Sequence, residues 1–322
     1  MKYRSKILIK DKQRKQVMPV NNKFAVVSRK GNNGKVIPTR KSVLPINIVD
    51  PKPEVVPVLD ERQKFIQWCE GRYDLKNPET IQDKIQWLKL NDLSELKTRC
   101  ADKILLHEYC KEKLGKDICI PILKVFDGKN IDFEGLPNNF VLKCNHGSGM
   151  NIIVKDKSKF DYTEAVNKLS SWLDSDFAVK NHYEWHYHDI VRKAYAEKYM
   201  FDSKQKESLY DYKFWCFNGE PKLYTINAGH GHGDILYFDM NGNVCNFYGI
   251  QYDLRDFVKP KSFTKMKEIA KILSGDFKFV RVDLYEIKGK IYLGELTFAP
   301  GSGMFRYKNK EDEIMVGDML KL

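Results

Sequence analysis

The stretch that most constrains the fold of this 322-residue chain lies near its end: Phe279-Val-Arg-Val-Asp-Leu-Tyr-Glu-Ile-Lys-Gly-Lys-Ile-Tyr-Leu-Gly-Glu-Leu-Thr-Phe-Ala-Pro-Gly-Ser-Gly303. It reads as two β-strands joined by a short turn around Gly289. Side chains alternate faces along a strand. Arg281 and Asp283 therefore share one face of the first strand, and Glu295 and Thr297 share one face of the second. A three-residue turn (Lys288, Gly289, Lys290) sets Ile287 opposite Ile291. Counting back from there sets Asp283 opposite Glu295 and Arg281 opposite Thr297. A two-residue turn would send the two carboxylates to opposite faces. Directly opposed residues have Cβ atoms roughly 4.5–5.5 Å apart. Two carboxylates at that distance repel unless a cation or a proton lies between them, so the pattern predicts a metal site.

The basic residues are spread unevenly. Residues 1–57 hold fourteen Lys and Arg against three acids, and the rest of the chain holds 41 against 40, so nearly all of the +12 formal charge belongs to the first segment. A folded nucleic-acid-binding face needs a basic excess of its own, and no nucleic-acid partner is expected. The first segment also carries Pro19, Pro38, Pro45, Pro51, Pro53 and Pro57, with Gly31-Asn-Asn-Gly34 between them. That is the composition of a mobile arm, and its charge suits peripheral contact with an anionic membrane or polymer. There is no run of about 18 apolar residues to cross a membrane, and no apolar stretch follows the first basic residues as in a secretory signal. Seven cysteines without a CxxC pair fit a cytoplasmic protein, at most at the inner face of the membrane, and fit neither a zinc site nor a disulfide framework.

Periodicity predicts helices over 58–70, 81–90, 102–114, 161–173 and 263–273, and strands over 120–126, 140–143, 151–154, 195–200, 210–217, 222–227 and 235–239. Asn218-Gly219 and Asn241-Gly242 read as hairpin turns. The expected organisation is the basic arm 1–57, a helical α/β region 58–135, a small lobe 136–200 with a glycine-rich loop, and a C-terminal lobe 201–322 with the metal site.

Three further constellations carry chemistry. Lys143 ends a strand and leads into His146-Gly-Ser-Gly149, where glycines let backbone N–H groups approach a polyanion and the lysine adds a point charge. The spacing is neither a Walker A loop nor a dinucleotide fingerprint. Glu197-Lys-Tyr199 ends another strand, and a hinge of this kind can meet an adenine edge. Asp211 and Lys213 share a face of the next strand, which by itself describes an ordinary surface ion pair. His182, His186 and His188, set among Tyr183, Glu184 and Trp185, read as a packed aromatic segment rather than a metal site. His230 and His232 read as part of a loop.

The order of these parts resembles the ATP-grasp superfamily, whose D-alanine–D-alanine ligases have the same sequence of pieces. More closely, it resembles the TupA-like ATP-grasp family, linked to teichuronopeptide and cell-surface polysaccharide synthesis. The residues that carry the resemblance are Asp83-Lys-Ile-Gln-Trp-Leu-Lys89 (where the family usually has Glu first), Phe140 to Gly149, Glu184-Trp-His-Tyr187, Asp211 to Gly219 and Phe279 to Gly303. It spans roughly residues 75–322.

The resemblance implies an α+β ATP-grasp fold in which two α/β lobes clasp Mg-ATP, with the basic arm extended outside it. Lys103 and Lys143 would hold the ATP phosphates, with His146, Gly147, Ser148 and Gly149 as the lid above them. Glu197 and Tyr199 would hold adenine and ribose. Lys213 is a further phosphate or substrate contact, and Arg281 would meet charge on the transferred phosphoryl group. Asp283, Glu295 and Thr297 would hold Mg2+, with Thr297 standing where related enzymes carry Asn. The implied activity is ATP-dependent joining of a small-molecule or glycan carboxylate to an amine through an acylphosphate. A kinase-type phosphotransferase, a glycosyltransferase of polysaccharide assembly and a non-catalytic ATP-binding module stand beside it as other readings.

Overall fold

A computed structural model describes residues 60–203, 205, 209–227, 236–249 and 258–322. The basic arm and the His230–His232 loop lie outside the described residues.

The first helices are set by their caps. Helix α1 (Glu61–Cys69) starts at Asp60, which forms a reciprocal capping box with Gln63. Helix α2 (Ile81–Asn91) starts at Thr80, boxed in the same way with Asp83. The acid that opens the Asp83–Lys89 motif is therefore the N3 member of a capping box whose N-cap is Thr80. The helix expected over 102–114 begins only at Leu106, as α4 (Leu106–Leu114), and a separate helix, α3 (Glu95–Ala101), precedes it. Asp102 breaks the run: it closes α3, and its Oδ1 accepts from the Ile104 and Leu105 N–H groups at 2.8 and 3.3 Å. Lys103 thus sits in a bend rather than inside a helix.

The small lobe is an antiparallel sheet in the order β1-β4-β2-β3, built from β1 (Ile122–Val125), β2 (Phe140–Cys144), β3 (Asn151–Val154) and β4 (Ala194–Lys198). Phe140, Leu142, Cys144, Ala194 and Ala196 point into a core closed by α5 (Tyr162–Leu173). By alternation, Val141, Lys143, Tyr195 and Glu197 fall on the other face. A four-residue helix α6 (Phe177–Lys180) follows α5.

The large lobe is a six-stranded antiparallel sheet in the order β10-β9-β5-β6-β7-β8. Its strands are β5 (Asp211–Phe217), β6 (Glu220–Asn227), β7 (Leu236–Asp239), β8 (Val244–Cys245), β9 (Phe279–Ile287) and β10 (Lys290–Thr297). One face packs Tyr212, Phe214, Cys216, Val280, Val282 and Leu284 against helix α7 (Phe263–Ser274) and against α4. The opposite face changes character along its length. At one end Trp215, Phe217 and Phe279 are buried with residues of α2 and of the last helix, α8 (Lys310–Gly317). At the other end the same face carries Asp211, Lys213, Arg281 and Asp283. A charged patch on the continuation of a buried face must be covered by a ligand or by the other lobe.

The last hairpin corrects the sequence reading in one respect. Its turn has two residues, Lys288 and Gly289, both at positive φ, and Ile287 pairs with Lys290 rather than Ile291. A bulge at Gly294 then restores the pairing, so that Asp283 opposes Glu295 and Arg281 opposes Thr297.

The seven cysteines are unpaired. His107, Asp117 and Cys119 bring ligand atoms within 4.8 Å of one another, but His107 Nδ1 and Asp117 Oδ2 are already partnered with each other at 2.8 Å. Among the described residues no helix is long and apolar enough to cross a membrane.

Candidate active site

Two adjoining cavities lie where the charged faces of the two sheets meet. The outer one, about 390 Å³, is lined by Val141, Lys143, Glu197, Tyr199, Asp211 and Tyr285 among others. The inner one, about 180 Å³, is lined by Lys103, Lys143, Gly147 to Gly149, Asp283 and Glu295. Ile120, Lys143, Asn151, Asp211 and Tyr285 border both.

Strand β2 delivers Lys143 to the shared wall, and its Nζ forms an ion pair with Glu197 on the neighbouring strand β4. Lys103 reaches the inner cavity from the α3–α4 bend. Its Nζ donates to the Gly147 carbonyl at 2.6 Å and lies 3.8 Å from Glu295 Oε2, so one ammonium touches both the loop of the small lobe and the hairpin of the large one. Burial pulls the Lys103 ammonium below its usual range, and the nearby Lys143 adds to this, while Glu295 opposes it. Asn145 fixes the bend: its Nδ2 donates to Asp102 Oδ2 at 2.9 Å and to the Val191 carbonyl at 3.0 Å, and its Oδ1 accepts from the Lys193 N–H at 2.7 Å.

Across the inner cavity the hairpin is dense with charge. Arg281 donates to Asp283 through Nε at 2.7 Å and through a terminal nitrogen at 2.6 Å, a two-point grip that fixes the carboxylate plane. The same terminal nitrogen reaches Thr297 Oγ1 at 3.1 Å and Glu295 Oε1 at 3.4 Å. Thr297 in turn donates to Glu295 Oε1 at 2.9 Å. From β5, Lys213 Nζ sits between Asp283 Oδ2, at 2.6 Å, and Asp211 Oδ2. Burial alone would raise the Glu295 carboxyl, but Lys103, Arg281 and Lys213 outweigh it and hold the group at about 2. Asp211 goes the other way. Burial, helped by the charge of Asp283, lifts it to about 6 against the pull of Lys213.

The expected site residues are thus brought together, with one exception and one addition. His146 is buried and does not line either cavity; its Nε2 donates to the Trp172 carbonyl at 3.1 Å, inside the small lobe. Gly147 has a packing reason as well as a ligand-facing one, because a Cβ there would meet the Phe177 ring at 2.7 Å. The addition is Asp211. Its pairing with Lys213 is no surface ion pair: Asp211 borders both cavities. The clue in the sequence is that Trp215 and Phe217 continue the same face, and a face that turns apolar two residues later is an inside face. Asn145 gave no such signal.

The histidine-rich segment packs as read. Tyr183 contacts Trp185 at 5.5 Å between ring centres, and His186 lies 4.4 Å from the Tyr187 ring and 5.4 Å from the Phe298 ring.

A comparison with protein families decides what this arrangement belongs to. The TupA-like ATP-grasp profile matches residues 83–321. This chain belongs to the TupA-like ATP-grasp family. Its two sheets, with the charged crevice between them, are the two lobes of the ATP-grasp fold. Similar solved structures include the D-alanine–D-alanine ligase from Helicobacter pylori, at 14% identity over 75% of this chain and 67% of that one, with a TM-score of 0.44. The D-alanine–D-alanine ligase from Bacillus anthracis, solved in complex with ATP, is 14% identical over 82% of this chain and 86% of that one, with a TM-score of 0.40. The ATP-grasp ligase PsnB, solved with a minimal precursor, Mg and ADP, is 11% identical over 70% of this chain and 58% of that one, with a TM-score of 0.34. No curated protein matches the sequence.

Proposed function

We propose that this TupA-like ATP-grasp protein is an ATP- and Mg2+-dependent carboxylate–amine ligase that works through an acylphosphate in cell-surface polysaccharide or glycopeptide synthesis. The observation that carries the proposal is the facing of two charge sets across one small cavity. Lys103, Lys143 and the Gly147–Gly149 loop stand on one side, and Asp283 and Glu295 on the other. Without ligand, Lys103 joins the two sets through Glu295, while Lys143 pairs with Glu197, and Asp283 with Arg281 and Lys213. A polyphosphate would take over the lysines, and a hard divalent cation the carboxylates.

The donor set fits Mg2+, which prefers oxygen ligands and binds through one or two carboxylates beside substrate phosphates. Asp283 and Glu295 would hold it. The Thr297 hydroxyl already donates to Glu295 and accepts from Arg281, so it orients Glu295 as well as offering an oxygen of its own. When bound, the ion neutralises phosphate charge and polarises the phosphoryl group.

The chain's own residues account for the remaining steps. The outer cavity takes the nucleoside, with the base against the Glu197–Tyr199 end of β4 and Asp211 at the junction towards the phosphates. Lys103 and Lys143 hold the phosphate oxygens, and Arg281 meets charge on the γ-phosphoryl group, whose transfer depends on positioning and electrostatics. A substrate carboxylate oxygen attacks the γ-phosphorus and ADP departs with the electron pair of the broken P–O bond. The amine then attacks the acyl carbon, the C–O bond to phosphate breaks, and the amine loses a proton to give the amide and inorganic phosphate. The lysines and Arg281 hold the departing phosphate oxygens in both steps.

The test is ADP release by the purified chain over a panel of uronic acids and amino acids, with and without amine acceptors. Carboxylate labelled with 18O is expected to pass one labelled oxygen to inorganic phosphate, and only when amine is present should amide accumulate. ADP formation without transfer of label would remove the acylphosphate. A stable phosphorylated product that ignores amines would make the chain a kinase.

A further inference from the structure

A second group of buried charges lies beyond Glu295, and nothing in the ATP site accounts for it. Lys89 on α2 is 4% exposed, and Glu184, between α6 and β4, is 5% exposed. Ionised groups buried this deeply cost several kcal/mol unless well partnered. Their partners converge on one short turn, the residues that follow β10.

Ser302 Oγ donates to Glu184 Oε1 at 2.7 Å, and Asn181 Nδ2 donates to the same oxygen at 2.6 Å. Lys89 Nζ donates to the Ser302 carbonyl at 2.7 Å and to the His182 carbonyl at 2.9 Å. Gln86 Nε2 donates to the Ser302 and Gly303 carbonyls, both at 3.0 Å. Ser302 itself is left-handed, with φ +56° and ψ +19°, between two glycines that are left-handed as well. A residue with a Cβ persists there only where its surroundings over-determine it, and four side chains from two other segments do so.

The turn is connected to the ATP site in two ways. It continues β10 directly beyond Glu295 and Thr297. The segment that holds it also supplies Tyr187, whose ring lies 5.7 Å below Lys103 Nζ. Along β10, Gly294 and Glu295 border the phosphate cavity, and the chain then runs through Thr297 to the turn. The turn thus begins four residues beyond Thr297, on the strand that carries the candidate metal ligands.

We propose that Glu184 and Lys89 are positioning residues that lock the Gly301–Gly303 turn as a wall of the pocket for the non-nucleotide substrate. The identity of that pocket rests on the ligase reading; the locking does not. Burial pushes the Glu184 carboxyl up to about 7, with Ser302 and Lys89 opposing the rise, while burial brings Lys89 down to about 8. Each group thus opposes the effect of burial on the other.

Amide hydrogen exchange on the full chain, read on peptides covering 297–305, tests the locking without any substrate. S302A and E184A are expected to speed exchange there tenfold or more, with the Kd for Mg-AMPPNP within twofold of the parent. E184Q keeps an oxygen that accepts the Ser302 hydroxyl and is expected to recover most of the protection, a rescue that mere filling of space by E184M would not give. With a carboxylate substrate from the ADP-release panel, S302A should raise its KM at least tenfold and leave the KM for ATP within twofold. Unchanged exchange in both S302A and E184A overturns the proposal, as does a loss of nucleotide affinity that matches the loss of protection. A panel that yields no substrate counts against the ligase reading alone, since the exchange result still decides the locking.

Discussion

Asp283 and Glu295 face each other across the last hairpin because Gly294, between them in the ladder, is left out of the pairing. The two-residue turn at Lys288-Gly289 would by itself place Glu295 opposite Val282 and on the core side. One extra residue in β10 reverses that. Bulges of this kind re-aim side chains beside active sites, and here the bulge gathers Arg281, Asp283, Glu295 and Thr297 onto one face.

Gly294 should therefore be sensitive to the smallest enlargement. A Cβ there would lie 2.7 Å from Tyr285 Cε2 and 3.4 Å from the Asp283 carbonyl, and Tyr285 borders both cavities. G294A is expected to lose about 1–3 kcal/mol of stability, the usual cost of overpacking. It should also bind Mg-AMPPNP at least tenfold more weakly, because the displaced ring and the tilted strand disturb both walls. Urea denaturation and calorimetric titration would check this. Parent-like values in both would mean that the bulge does not set the site.

The hairpin also shows what was legible in the sequence and what was not. Strict alternation and a carboxylate on each strand pointed to the opposed pair, but the count rested on the wrong turn length, and a bulge leaves no mark other than a glycine. Lys143 and the Gly147–Gly149 loop were legible because strand, lysine and glycines are consecutive. Lys103 was placed by resemblance; its position in a bend depends on Asp102 and Asn145, forty-three residues apart, a tertiary contact that no local pattern records. His146 shows the reverse case. Gly147, next to it in sequence, lines the inner cavity, yet the His146 ring reaches the Trp172 carbonyl instead.

Strand β5 separates stability from binding within two residues. Trp215 is buried among Phe279, Tyr237 and Phe305, so W215A should cost about 3–5 kcal/mol through the cavity it leaves. The Kd of the folded fraction for Mg-AMPPNP should stay within about threefold of the parent. Lys213, on the same face, holds Asp211 and Asp283 apart. K213M leaves Asp211 without its cation and Asp283 with Arg281 alone, and should cost about 3–5 kcal/mol in metal-free buffer, part of it restored by excess Mg2+. Thermal unfolding with and without Mg2+ would show this. If the ion restores nothing to K213M, Asp283 does not hold it.

Lys103 links the lobes at the inner cavity, through Gly147 on one side and Glu295 on the other. K103M preserves the length and apolar stem while removing the charge. It is expected to weaken Mg-AMPPNP binding at least tenfold, the effect of losing one charged hydrogen-bond partner on a phosphate. The charge also helps to keep Glu295 low, so K103M should shift the apparent carboxyl titration in the unliganded protein upward. An NMR titration of side-chain carboxyl carbons would detect the shift. Unchanged nucleotide affinity would take Lys103 out of the phosphate site.

Asp211 gives a pH dependence whose sign can be worked out. Burial and the charge of Asp283 raise its carboxyl from 3.8 to about 6 in the folded chain, against Lys213. The folded state therefore holds this proton more tightly than the unfolded state does. The stability that comes from the protonated group is fully present below about pH 4 and is lost as pH rises through 6. D211N has no such proton to lose. In metal-free buffer the stability of the parent relative to D211N should fall between pH 4 and 6 and stay level above pH 7. A shift of this size corresponds to a total on the order of 3 kcal/mol. Urea denaturation of both proteins across that range measures the difference directly, and Glu295 and the other carboxylates contribute to both curves alike. A difference that rises with pH would mean that Lys213 wins at Asp211 and that the acid is ionised throughout, as an ordinary ion-pair partner would be.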